Sequence, residues 1–121
     1  MSKMLYVQTS GVDTPGRLAT PLFMASVARA MDMEAIVFFT IHGATTLKKG
    51  VAETLRIKSD SPKTIKDFMD DALAAGAKFM VCAQSMDQAD LTAADLIPEV
   101  EVVGAATLND LILEVDAAMF F

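Results

Sequence analysis

Residues 35–39 form the sequence feature that most constrains the fold, an unbroken apolar run of Ala-Ile-Val-Phe-Phe. A continuous run of this length is typical of a strand covered on both faces, as in parallel sheets, whereas a half-exposed strand alternates. Similar strand-sized runs occupy residues 4–8, 78–82 and 100–103, and residues 118–121 could add a short terminal strand. The sequence therefore predicts a mainly parallel sheet of four to five strands.

Segments with helical periodicity separate these runs. The clearest one has a stripe of apolar residues spaced three and four apart: Ile65, Phe68, Met69, Ala72 and Leu73. For this helix we predict Ser61 as the N-cap, Pro62 at the first helical position and Gly76 as the residue that ends it.

Five further helical pieces complete the pattern. We predict helices over residues 17–31 and 84–89, and a short helical turn over residues 45–50. Thr92 and Asp95 have the spacing of a capping box, and Thr107 is the predicted N-cap of the last helix. The alternation of strands and helices predicts βαβ units, and hence one three-layer α/β/α domain over residues 1–121.

Composition excludes several kinds of site. The 121 residues contain one cysteine and one histidine, which rules out an internal disulfide framework and a cysteine-rich zinc site. We therefore predict no metal and no cofactor. A formal net charge of −6 argues against binding nucleic acid through phosphate neutralisation.

Hydropathy predicts a cytoplasmic protein that forms homo-oligomers. No segment approaches the roughly 20 apolar residues of a membrane helix, and residues 1–8 lack the pattern of a signal peptide. Yet 53% of the residues are hydrophobic and the mean hydropathy is +0.40. Because small domains have much surface per volume, we expect part of this apolar surface to be buried against another subunit.

Three chemistry-bearing segments follow predicted strands. The loop containing Thr14 follows the first strand, His42 and Gly43 follow the second, and Cys82 ends the third. The carboxyl ends of parallel strands lie at one edge of a sheet, where α/β proteins bind ligands. We expect these residues to converge, with His42, Gly43 and Thr14 lining the site of the thiol.

Cys82 is the strongest candidate for chemistry. A free cysteine often only packs in the core, and that reading stays open. Its position before a predicted helix start would favour a thiolate, which is the reactive form of sulfur. With no second cysteine to form a dithiol couple, a single thiol fits a persulfide carrier.

The chain resembles the DsrE/DsrF-like family of sulfur-relay proteins. The resemblance includes the first strand with its Gly/Pro loop, residues 36–44, residues 68–77, the strand ending at Cys82, and residues 104–108. It implies a parallel-sheet α/β/α fold, trimeric or hexameric assembly, and transfer of sulfane sulfur through a persulfide on Cys82. It also implies TusA-like carriers or rhodanese-like donors as partners.

Two other functions compete with the carrier. The chain could be a non-catalytic subunit or small-ligand-binding module in which Cys82 is structural. A peroxide-reducing thiol protein is a weaker alternative, because there is no resolving cysteine.

Overall fold

A computed structural model describes all 121 residues as five strands and four α-helices. Along the chain these elements are β1 (Lys3–Gln8), α1 (Ala19–Ala30), β2 (Glu34–Phe39), α2 (Ile65–Ala74), β3 (Lys78–Cys82), α3 (Ala83–Gln88), β4 (Val100–Val103), α4 (Ala105–Glu114) and β5 (Ala117–Phe120). Short 3₁₀ turns at Pro15–Arg17, Ile41–Leu47, Ala52–Thr54 and Ala93–Asp95 complete the connections.

All five strands are parallel and lie in the order β4-β3-β2-β1-β5. The chain moves outward from β1 to β4 and then crosses back to place β5 beside β1. Because parallel crossovers are right-handed, this reversal puts α4 on the face opposite α1 and α2. The predicted three-layer α/β/α fold with a parallel sheet is confirmed.

The sheet separates two apolar clusters. The larger cluster packs α1 and α2 against one face, with the Phe39 and Phe79 rings edge to face at 5.3 Å. The smaller cluster joins Leu111 of α4 to side chains of β1, β2 and β3 on the other face. The continuous apolar runs of the central strands thus cover both faces of the sheet, as their sequence predicts.

The predicted start of α2 is wrong by three residues. Thr64, rather than Ser61, is the N-cap: its side chain accepts a hydrogen bond from the Asp67 N–H, while its own N–H donates to the Asp67 carboxylate at 2.8 Å. That backbone hydrogen bond from Thr64 lowers the pKa of the Asp67 carboxyl below its usual range. The reciprocal box satisfies two donors at once, which a cap at Ser61 would not do.

Other predicted boundaries also shift. Gly104, not Thr107, is the N-cap of α4, so Thr107 lies inside the helix. Strand β2 ends at Phe39, the last residue of the apolar run, because Ile41 adopts a left-handed φ of 54° and begins a 3₁₀ turn. That turn spans Ile41–Leu47, earlier than the predicted turn at residues 45–50. The predicted Thr92–Asp95 capping box is present.

No helix of the structure combines the length and the apolar character that a membrane crossing requires.

Candidate functional site

The candidate site lies at the carboxyl edge of the sheet, where the ends of β1, β2 and β3 are level. In the register of the sheet Gln8 lies beside Phe39, and Phe39 beside Val81. The loops after these strands, together with α3, therefore meet at one edge. Parallel pairing alone produces this convergence, as the order of elements predicts.

Cys82 is the last residue of β3 and the N-cap of α3. Its side chain is 6% exposed and belongs to the apolar cluster that contains Leu5, Val7 and Phe38. It makes no capping hydrogen bond to the first N–H groups of α3. The sequence-based expectation that helix N–H groups stabilise a thiolate here is therefore not met by a direct contact.

Helix α4 is the outer cover of this cluster and is loosely held. Leu111 is its one buried residue, while Leu108 and Val115 are half-buried against the cluster. Leu113, two residues from Leu111, is 85% exposed. Because few side chains of α4 are buried, we expect a displacement of this helix to expose the cluster that contains Cys82.

We expect Leu111→Ala to expose the thiol as well as to destabilise the fold. Removing this side chain should lower the free energy of unfolding by about 2 kcal/mol and loosen α4. The rate at which iodoacetamide alkylates Cys82 under native conditions should rise severalfold. Leu113→Ala is the matched control, since its side chain is already in solvent, and it should change neither quantity; equal effects of both variants would contradict this role of α4.

Ser85 is a buried site residue that sequence reasoning did not identify. It lies one turn after Cys82 and is 4% exposed. Its Oγ accepts a hydrogen bond from the Ile41 N–H at 2.8 Å and lies 3.1 Å from the Thr40 Oγ1. Ser85 thus ties α3 to the end of β2 and holds Ile41 in its left-handed conformation. The only sequence signal is a serine at the inward position of a very short helix, which is too common to be informative.

Ser85→Ala should lower the free energy of unfolding by about 2 kcal/mol, because the Ile41 N–H loses its partner in a partly buried position. Urea titration would measure the change. Ser26→Ala is a suitable control: its hydroxyl only bonds back to the Leu22 carbonyl within α1, so stability should change by less than about 0.5 kcal/mol. An equally large loss of stability in Ser26→Ala would contradict the stabilising role assigned to the Ser85 hydroxyl.

Gly43 and Gly11 interlock the loops that follow β1 and β2. A Cβ on Gly43 would lie 2.1 Å from the Gln8 carbonyl oxygen, and one on Gly11 would lie 2.1 Å from the His42 carbonyl oxygen. Both glycines are buried. Gly43 therefore contacts β1 through its backbone. It contributes no side chain to the site.

Gln8, whose carbonyl group lies against Gly43, carries the one buried side-chain atom without a hydrogen-bond partner, its Oε1. Its Nε2 donates to the Ser10 carbonyl at 2.9 Å, which fixes the orientation of the amide. A buried acceptor without a hydrogen-bond partner is energetically costly. The Gln8 Oε1, at the carboxyl edge of the sheet, is therefore free to accept a hydrogen bond.

His42 and Thr14 are exposed, and the structure does not place them in one cavity with Cys82. His42 lines a cavity of about 200 Å³ together with Ile41, Thr45 and Ser85. The Thr14 N–H donates to the Gly11 carbonyl at 2.9 Å, and Gly11 in turn lies against the His42 carbonyl. Cys82 does not line the cavity that contains His42.

No group of three or more His, Cys, Asp or Glu side chains is placed to hold a metal ion. The chemistry available at this edge is that of one shielded thiol, one exposed imidazole and several hydroxyl and backbone groups.

A family model described as the DsrE/DsrF-like family matches residues 2–121. Among curated proteins, the uncharacterized protein MJ0760 of Methanocaldococcus jannaschii is 25% identical over 107 residues, which is 88% of this chain. The chain spans 38% of the length of that relative.

Two solved structures share the fold over the full length of both chains. The YchN protein from E. coli superposes with a TM-score of 0.83 at 19% sequence identity. MTH1491 from Methanobacterium thermoautotrophicum superposes with a TM-score of 0.66 at 16% identity. At these identities the similarity concerns the architecture of the sheet and its helices.

Proposed function

The chain belongs to the DsrE/DsrF-like family, and on that premise we propose that it is a sulfurtransferase or sulfur carrier that holds sulfane sulfur on Cys82. Membership in the family supports a role related to sulfur relay. The observation that carries the finer proposal is the single thiol at the carboxyl end of β3, set among apolar side chains.

The proposed step is a thiol exchange. The Cys82 thiolate attacks the outer sulfur of a donor persulfide, R–S–SH; a new S–S bond forms to Cys82 as the donor S–S bond breaks. The donor leaves as the thiolate R–S⁻ and Cys82 becomes the persulfide Cys–S–SH, so no external oxidant or reductant is needed. Attack by an acceptor thiolate on the outer sulfur reverses this step and restores Cys82.

The burial of Cys82 suits storage of sulfur more than rapid turnover. A persulfide among Leu5, Val7 and Phe38 would be shielded from water and from small thiols, which otherwise reduce it. Loading and unloading would then need α4 to move, and this helix has one buried residue, Leu111. We assign three residues at the same edge of the sheet to the surroundings of the Cys82 thiol: His42, Gly43 and Thr14.

The partners belong to the proposal as well. We expect a TusA-like carrier or a rhodanese-like donor to exchange sulfur with a homo-oligomer of this chain, a trimer or hexamer, in the cytoplasm. Nucleic acid and membrane have no part in this scheme. The apolar composition of the chain, 53% hydrophobic residues, supports assembly.

A second candidate function has its own observation in support. His42, Thr45 and Ser85 line a cavity that Cys82 does not line. A non-catalytic subunit or a small-ligand-binding module would use that cavity and leave Cys82 as a packing residue. It predicts that the native thiol resists both alkylation and sulfur loading, and that ligand binding survives Cys82→Ala.

The test is the intact mass of the native protein after incubation with inorganic polysulfide. The carrier proposal predicts an increase of about 32 Da, one sulfur atom, that dithiothreitol removes. An unchanged mass, under conditions that load a known persulfide carrier, would reject the proposal and favour the second candidate.

A further inference from the structure

The amino edge of the sheet, at the opposite end of the strands from Cys82, has a cavity of its own. The cavity has a volume of about 220 Å³ and is lined by the first residues of three neighbouring strands. These residues are Lys3 of β1, Glu34 of β2 and Lys78 of β3. Arg29, from the last turn of α1, lines the same cavity. Its charged lining is therefore three cations and one carboxylate.

The charge of this lining is opposite in sign to that of the chain. The whole chain has 16 acidic and 10 basic side chains, which give a net charge of −6. The one carboxylate of the cavity, on Glu34, lies 3.5 Å from the Lys3 ammonium, and Lys3 also pairs with Glu114. Lys3 is thus already neutralised within the protein. Arg29 and Lys78 are the cations whose charge remains uncompensated.

Arg29 is held in place by backbone carbonyl groups rather than by a carboxylate. Its Nε donates to the Ala75 carbonyl at 3.0 Å and its Nη1 to the Met33 carbonyl at 3.1 Å. These bonds use two of the five N–H groups of a guanidinium, so both N–H groups of Nη2 remain unused. No Asp or Glu oxygen lies within 4.0 Å of this half-buried group. Because buried charges are normally paired, the unpaired guanidinium indicates an anionic ligand.

Gly76 permits this placement of Arg29. It adopts a left-handed φ of 101° in the turn between α2 and β3, and a Cβ there would lie 3.0 Å from the Arg29 Nε and 3.2 Å from its Nη2. The guanidinium therefore rests against the backbone of the turn, and two hydrogen bonds fix its orientation. A donor group that is already ordered loses little further conformational freedom when it binds an anion.

Lys78 is the second uncompensated cation. It is exposed and lies beside Ile36 in the register of β2 and β3, and its ammonium group forms no ion pair. The edge of a sheet can also form an anion-binding concavity with its backbone N–H groups. The cavity thus combines one fixed and one mobile positive charge at the end of the sheet.

We propose that this cavity binds a small oxyanion with two negative charges, phosphate or sulfate, between Arg29 and Lys78. The planar guanidinium matches the oxygen geometry of such an anion, and the ammonium adds a compact second charge. Two uncompensated cations match a ligand with two negative charges.

This site is separate from the thiol. The five residues of β3 span about 15 Å, with Lys78 at one end and Cys82 at the other. An anion held at the amino edge therefore does not contact Cys82. The proposal does not depend on the sulfur chemistry proposed for that residue.

Backbone amide NMR of the isotope-labelled chain tests the site. Sodium sulfate or sodium phosphate is added while sodium chloride keeps the ionic strength constant. The amide signals of Gly76 and Lys78 should shift and saturate, whereas those of Gly43 and Cys82 at the carboxyl edge should stay in place. Saturation by either anion supports the site, and the tighter of the two is its preferred ligand. Shifts that fail to saturate, or that chloride alone reproduces, would overturn the proposal.

Lys78→Gln is the decisive variant, because this side chain has no ion pair to lose and the fold should be retained. The dissociation constant of the anion should rise by about threefold, as expected for the loss of one exposed charge pair. Lys58→Gln is the matched control, since it removes the same charge from a side chain that is 74% exposed in the loop before α2. An unchanged dissociation constant in Lys78→Gln, or an equal rise in Lys58→Gln, would contradict the site.

Arg29→Gln should weaken binding more than Lys78→Gln, because it removes the fixed donor group. The far-UV circular dichroism of this variant must match that of the wild type, since the hydrogen bonds to Ala75 and Met33 are lost as well. A folded Arg29→Gln protein that binds sulfate and phosphate as tightly as the wild type would also overturn the proposal.

Discussion

Replacing Cys82 with serine is expected to abolish sulfur loading completely. The chain has no other cysteine, so every persulfide adduct must reside on Cys82. A serine hydroxyl is not ionised near neutral pH and cannot form a persulfide. The intact mass of the Cys82→Ser protein should therefore stay unchanged after incubation with polysulfide, whereas the wild type gains about 32 Da.

Two further variants distinguish the loss of the thiol from misfolding of the protein. A hydroxyl in the apolar cluster around residue 82 costs about 1–3 kcal/mol, so Cys82→Ala, which buries no polar atom, should be tested as well. Ser85→Ala is the matched control that keeps the thiol, and it should still load sulfur. A mass increase in Cys82→Ser or Cys82→Ala equal to that of the wild type would place the sulfur elsewhere and contradict the assignment.

Gly43→Ala is expected to give a large loss of stability for the addition of a single methyl group. Its Cβ would lie 2.1 Å from the Gln8 carbonyl oxygen and 3.0 Å from the carbonyl carbon, both of which belong to the backbone of β1. The same oxygen accepts the Thr40 N–H at 3.0 Å, so β1 cannot give way without breaking that hydrogen bond. We expect the free energy of unfolding to fall by about 3 kcal/mol or more in a urea titration.

Gly16→Ala provides the comparison for this prediction. A Cβ there would meet only the Ile57 carbonyl oxygen at 3.6 Å, which is an ordinary contact. Its stability should be unchanged or greater by up to about 1 kcal/mol, because alanine restricts the unfolded chain. If Gly43→Ala were as stable as Gly16→Ala, the loops after β1 and β2 would not be interlocked as described.

The architecture could be predicted because it depends on coarse patterns. The run at residues 35–39 is apolar at every position, and it forms β2, the central strand of a sheet that is covered by α1 and α2 on one face. Helix α2 follows from its periodic stripe, of which Ile65 and Met69 are buried. Such patterns tolerate errors of several residues and still give the correct layers.

Local boundaries could not be predicted as well, because several residues compete for the same role. Ser61 and Thr64 are both good caps by residue type, and the choice falls to Thr64 because Asp67 completes its box. At α4 an unremarkable Gly104 is the N-cap although Thr107 is available. The left-handed turn at Ile41 has no sequence signal, since it depends on Ser85, which is distant in the chain.

At the site, sequence order predicted which segments meet but not how their side chains are arranged. Cys82 was expected at a strand end and lies there. Its burial depends on α4, which packs on the opposite face from α1, and this depends on the return of the chain to β5. Gly43 was expected to line the site, yet its contact with Gln8 follows from the close approach of two loops.

The most direct test of the central claim is to release the sulfur from the loaded protein. The native chain is incubated with polysulfide, freed of the donor, and treated with cyanide, which removes an outer persulfide sulfur as thiocyanate and restores the Cys82 thiolate. A sulfur carrier predicts about one thiocyanate per chain and an intact mass that returns to its starting value. No thiocyanate above the level of the Cys82→Ser protein would contradict the account.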